Sequence, residues 1–221
     1  MIQRRYRRDY AGEFVVINTD IRLGIKQQRR EWIDNPFTAP LQPGRAAVIG
    51  SSCDREQFDH VQLQRPRPRG QTKFKPRLYG TGKIWKDMQL DVYCSTDRMA
   101  LQDLQQTDYH KNSQVLTSSR GCLMFPGSFY LIPFQPPVGD LAAAIYLAAF
   151  DGHEDIFLFG YSNDTVGGNR GWQREVAEVI ATYHTHNFVF IGGEANMPDA
   201  WRELENTEFW NHKKLLTHGN F

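Results

Sequence analysis

Four short polar stretches carry the residue types that could do chemistry, and each follows an apolar run. Gly50-Ser51-Ser52 follows Ala46-Ala47-Val48-Ile49. Gly80-Thr81-Gly82-Lys83 follows Leu78-Tyr79. Ser95-Thr96-Asp97 follows Leu90 to Cys94. Gly160-Tyr161-Ser162-Asn163-Asp164 follows Ile156-Phe157-Leu158-Phe159. Small hydroxyl and glycine residues at strand ends leave backbone N–H groups open to an anion. In open α/β sheets, ligands bind beyond the carboxyl ends of the strands. If these strands are parallel, their ends line one cleft, together with Gly192-Gly193. The chemistry is then that of a nucleotide-type ligand. The first turn lacks both G-x-G-x-x-G and the P-loop lysine, so it excludes those two fingerprints. An ordinary strand-to-helix turn is the competing reading of Gly50 to Ser52.

The elements that must position these residues can be read around Phe134 to Asp164. Pro136, Pro137 and Gly139 forbid a helix before them. Leu141 to Phe150 is alanine-rich and uncharged, which predicts a helix buried on all sides. Gly152 is the expected left-handed cap, and His153-Glu154-Asp155 reads as a polar turn. Ile156 to Phe159 reads as a parallel strand covered on both faces. Further strands are predicted at 14–17, 46–49, 90–94, 115–117, 130–132 and 188–191. Helices are predicted at 54–60, 98–106 with Ser95 or Asp97 as cap, 172–184, and 198–209. Alternating strands and helices give an α/β fold, a three-layer Rossmann-like domain with a mainly parallel sheet. Residues 44–221 form that domain. Residues 1–43 form a basic amino-terminal extension, irregular or partly helical over 19–43.

The formal net charge is +1, so no global charge argument favours nucleic acid or a membrane. The cations cluster instead. Arg4, Arg5, Arg7 and Arg8 crowd one arm. Arg65, Arg67, Arg69, Lys73, Lys75 and Arg77 crowd a proline-rich stretch. That stretch is either a solvated loop or a contact for nucleic-acid phosphates. No apolar run is long enough to span a membrane, and no secretory signal is evident. Cys53, Cys94 and Cys122 form no CxxC pair, and a cytoplasmic protein with reduced thiols is expected. His184 and His186 match no metal spacing and read as structural. Trp85 and Trp172 read as core.

AAVIGSS, then LYGTG and LDVYCSTD, then GDLAAAIYLAAFDGHEDIFLFGYSND, resembles the sialyltransferase-like family of Rossmann-type glycosyltransferases. The resemblance spans about residues 45 to 195 and extends to proteins of large phages. It implies transfer of a sugar from a nucleotide-sugar donor to a hydroxyl acceptor, with no metal and no cofactor beyond the donor. Gly50, Ser51 and Ser52 would lie near the donor phosphates. Thr81, Gly82, Ser95 and Thr96 would touch the nucleotide, and Gly160 and Tyr161 would border the sugar. For such a transfer Asp164 is the first candidate base, with Asp140 and Asp97 in reserve. Arg170 and Lys83 are candidate phosphate partners. The arginine arm and the 65–77 stretch would suit an acceptor in DNA, such as a hydroxylated base in phage DNA. The chain departs from the family in its GSSCD turn and in having no match to the family's histidine base. These departures keep open a non-catalytic nucleotide- or nucleic-acid-binding protein on the same scaffold.

Overall fold

The computed structural model describes residue 2 and residues 13–22, 25–34, 44–51, 76–162, 171–192, 196–211 and 213–215. The proposed helix at 54–60, the basic residues Arg65, Arg67, Arg69, Lys73 and Lys75, and Ser52, Asp164 and Arg170 lie outside these.

Ten strands form one sheet. They are β1 (Glu13–Arg22), β2 (Ile25–Asp34), β3 (Arg45–Ile49), β4 (Arg77–Gly80), β5 (Val92–Cys94), β6 (Gln114–Thr117), β7 (Tyr130–Leu131), β8 (Asp155–Phe159), β9 (Asn187–Ile191) and β10 (Thr207–Trp210). Their order across the sheet is β10-β9-β8-β3-β4-β5-β6-β7-β1-β2. From β10 to β7 every neighbouring pair is parallel. The α/β, Rossmann-like expectation therefore holds. The chain winds outward from β3 through β4 to β7. It then returns to the other side of β3 as β8 and winds outward again to β10. The reversal between β3 and β8 is a topological switch point, the place at which open α/β sheets bind ligands.

Strand side chains alternate between two cores. Ala46, Val48, Ile156, Leu158, Phe188 and Phe190 join one. Ala47, Ile49, Phe157, Phe159, Val189 and Ile191 join the other. The first core is covered by α4 (Asp140–Phe150) and α5 (Gly171–Thr182), the second by α1 (Arg98–Gln106) and α2 (Tyr109–Asn112). In α4, every residue from Ala142 to Phe150 is buried. Its alanines allow that, because small side chains let a helix lie close on a sheet. Asp151, Gly152 and His153 then end α4 in a Schellman motif. Gly152 has φ +87 and its N–H donates to Ala149, while the His153 N–H donates to Ala148.

Several expectations are corrected. Residues 19–43 are neither irregular nor helical where described: β1 and β2 pair antiparallel over ten residues each. Leu78 and Tyr79 belong to strand β4, and a 3-10 turn follows at Gly82–Lys86. A further short helix, α3 (Ser119–Met124), stands before β7. The helix expected over 198–209 is only α6 (Asp199–Arg202), followed by β10. Pairing with the edge of β9 wins there. The Asn206 side chain fixes the turn by donating to the carbonyls of Ile180, Tyr183 and His186. In the polar turn before β8, His153 is only 3% exposed. Among the described residues, no helix is long and apolar enough to cross a membrane.

Candidate functional site

Four of the polar stretches meet along one edge of the sheet. They end β8, β3, β4 and β5, which are consecutive neighbours. At the usual strand spacing these four ends span about 14 Å. The closest contact is at the switch point. The Gly50 N–H donates to the Phe159 carbonyl at 2.7 Å. A Cβ on Gly50 would lie 2.5 Å from the Gly160 carbonyl and 3.0 Å from the Tyr161 ring. Glycine is therefore required at 50 by the close approach of Gly160 and Tyr161, just past the end of the neighbouring β8, whatever ligand lies above. Gly160 itself has φ +69 and Gly82 φ +68. A Cβ on Gly82 would lie 3.3 Å from Cβ of Ser51, so the β3 and β4 turns touch.

The side chains in this row differ in what they can still bind. Tyr161 is fully buried, and its hydroxyl donates to the Leu141 carbonyl at 3.0 Å. Its ring packs by Trp172 and Trp201. It thus belongs to the core beneath the row of strand ends, with no exposed atom to offer a sugar among the described residues. Burial pushes its hydroxyl pKa well up. Thr81 is 1% exposed, and its Oγ1 is buried with no hydrogen-bond partner among the described residues. A hydroxyl left so is costly unless something pairs with it. Ser51 is half-buried and Lys83 exposed on the 3-10 turn. Tyr93 braces that turn, its hydroxyl donating to the Gly82 carbonyl at 2.8 Å.

Ser95, Thr96 and Asp140 are brought together, but with each other. The Ser95 hydroxyl donates to Asp140 Oδ2 at 2.9 Å. The Thr96 amide donates to both carboxylate oxygens, at 2.9 and 3.0 Å, and its hydroxyl to Oδ1 at 2.7 Å. Three donor hydrogens thus reach this carboxylate, the single Thr96 N–H being shared between its two oxygens. Asp140 therefore ties the end of β5 to the start of α4, and it is corrected from reserve base to positioning residue. Glu175 completes that helix start by accepting from the Gly139 N–H at 2.8 Å. Asp97 caps α1 through Oδ1, which accepts from the Met99 N–H at 2.9 Å.

Beyond Thr96 the row opens into a cleft of about 300 Å³ that sequence reasoning missed. Its walls are Thr96, Ser118, Ile132, Ala143 and the run Gln135 to Val138. Phe134 and Gln135 hold φ of 52 and 39, a region that only glycine enters freely. Gln135 is held there by accepting from the Ser119 N–H at 3.0 Å. The Pro136-Pro137 pair was the available signal, since two prolines force the chain to stand off the sheet.

The opposite end of the strands carries a different cluster. The Tyr79 hydroxyl donates to Asp151 at 2.5 Å and lies 2.9 Å from His153 Nε2. Arg77 stands 3.7 Å from Asp151. His186, 6% exposed, packs on Tyr183 near the start of β9, as expected of a structural histidine. Cys94 and Cys122 are free and buried. Among the described residues no group of three or more His, Cys, Asp or Glu could hold a metal ion.

No family model, no curated protein and no solved structure matches the chain.

Proposed function

We propose that the chain is a glycosyltransferase whose nucleotide-sugar donor lies along the carboxyl ends of β8, β3, β4 and β5. The observation that carries this reading is the Thr81 hydroxyl. It is buried and, among the described residues, unpartnered in the middle of that row, while the neighbouring Ser95 and Thr96 hydroxyls are already paired. A ligand acceptor atom, such as a ribose or phosphate oxygen, would complete it. The resemblance to sialyltransferase-like proteins supplies the reaction class. An acceptor hydroxyl gives its proton to a carboxylate, its oxygen bonds to the anomeric carbon, and the bond from that carbon to the leaving phosphate breaks. With the oxygens of Asp140 engaged, the base falls to Asp164 or to Asp97. Lys83 and Arg170 are the cations for the leaving phosphate.

The test is a thermal-shift screen with CMP, UDP, GDP, ADP and their sugar conjugates, repeated on Thr81→Val. One nucleotide family should raise the midpoint, and the variant should bind it roughly 5- to 10-fold more weakly, the loss of one buried hydrogen bond. No shift with any nucleotide would sink the reading. Binding without release of nucleotide in the presence of acceptor hydroxyls would leave a nucleotide-binding protein in place of a transferase.

A further inference from the structure

The β1–β2 ribbon has a face that the core does not use. β1 touches the rest of the sheet through one Cα pair, Phe14 with Tyr130, and β2 is the last strand in the order. Val15 is the anchor. It is fully buried against Cys122, Leu123 and Leu131. Along the same face the side chains then emerge: Val15 is 0% exposed, Ile17 49% and Ile21 68%. Ten residues per strand make the ribbon about 34 Å long. Such a two-stranded ribbon is marginal in water without a covering surface.

The register fixes what shares this face. Trp32 lies opposite Val15, Arg30 opposite Ile17, Gln28 opposite Thr19, and Lys26 opposite Ile21. Facing partners in an antiparallel pair point to the same side. From Val15 to Ile21 and from Lys26 to Trp32 this face holds two cations and no carboxylate. Lys26 and Arg30 are exposed and have no carboxylate partner among the described residues. Of the ribbon's four acids, Glu13 and Asp34 belong to this face at the end next to the sheet, and Asp20 and Glu31 to the other face. There Glu31 takes the Asn18 amide at 3.0 Å and pairs with Arg29 at 3.0 Å.

We infer that this face of the ribbon is a docking surface for duplex DNA, lying in the major groove. Three properties fit together. Its outer part, from the Ile17–Arg30 pair to the Ile21–Lys26 pair, is cationic against a polyanion. A two-stranded ribbon fits a groove about 12 Å wide. Arginine, lysine, glutamine and threonine are the side chains that read base edges there, and isoleucine suits the thymine methyl. The inference concerns the acceptor side of the proposed function, and its test uses no nucleotide, so the two can fail separately.

The experiment is fluorescence anisotropy of the full chain with a labelled duplex of about 20 base pairs, two helical turns, over a range of salt. The chain should bind with affinity falling as salt rises. Lys26→Ala with Arg30→Ala should weaken binding about 10-fold or more and reduce the salt slope by about two counterions. Arg29→Ala, on the other face, should leave it unchanged. Circular dichroism should show both variants folded, because all three side chains are exposed. Absence of duplex binding, an unaffected double variant, or tighter binding to duplex RNA, whose major groove is too narrow for the ribbon, would each overturn the inference. So would a dimer in sedimentation that Ile17→Asp breaks, which would assign the face to a second copy of the chain.

Discussion

Thr96 gives Asp140 both its amide and its hydroxyl, so one residue after β5 holds the first residue of α4 in place. The bond joins elements 44 residues apart.

Asp140→Ala should therefore act on stability first. It strands the Ser95 hydroxyl, 2% exposed, and frees Thr96. A loss of about 2 kcal/mol is expected, as for hydrogen bonds to a charged group. Urea unfolding would read it as a lower midpoint. Turnover per folded molecule should change little. A fall of about 100-fold or more, the size expected for loss of a general base, would return Asp140 to that role.

The close approach of Gly50 and Gly160 predicts a sharp contrast between glycines. Gly50→Ala places a methyl 2.5 Å from a backbone carbonyl that cannot swing away. It should cost about 3 kcal/mol, the upper range for overpacking. Gly127 has φ +80 but open space around it. Gly127→Ala should cost only the backbone strain, about 1 kcal/mol. Equal melting temperatures for the two variants would contradict the close approach.

His153 should make the fold acid-sensitive. With Tyr79 donating to Asp151, the tyrosine oxygen accepts from His153 Nε2–H. Nδ1 is then an unprotonated atom, buried without a hydrogen-bond partner among the described residues. Burial, and next the nearby Arg77, push the His153 pKa down to about 4, opposed only in part by the Gly44 carbonyl. The unfolded chain takes the proton near pH 6.5, before the folded one does. Stability from this site is thus full above pH 6.5, falls between 6.5 and about 4, and falls no further below that. The loss is about 3 kcal/mol. His153→Gln should flatten unfolding free energy between pH 7 and 4.5 relative to the parent. An unchanged slope would mean the imidazole is protonated in the fold.

The pattern of what the sequence disclosed follows burial. The helix α4 and strand β8 were legible because both are apolar throughout and bounded by Pro136, Pro137 and Gly152. β10 was not, because Leu204, Phe209 and Trp210 suit a helix face as well as an edge strand, and only pairing with β9 decides. The ribbon was hidden for a different reason. Its outer half buries nothing, so its alternation of isoleucine with asparagine, threonine and arginine marks no inside. In the site, small residues at strand ends could be read as neighbours from the parallel pattern. Which of them were free could not. That Asp140 is engaged while Thr81 has no partner among the described residues depends on where β5 ends relative to α4, a matter of ångströms.

The position of β8 has a consequence for synthesis of the chain. β3 lies in the middle of the sheet, yet one of its two neighbours is encoded 110 residues later, as the Arg45 to Asp155 pairing measures. When β3 to β7 have left the ribosome, one long edge of β3 still presents unpaired amides and carbonyls. At roughly 5–20 residues per second, β8 follows several seconds later. During that interval the nascent half-sheet is a template for any extended strand nearby. Alanine-rich α4 emerges just before β8 and can shield the face of the half-sheet, but not its edge. β8 covers that edge of β3 and moves the open edge outward, where β9 and then β10 follow.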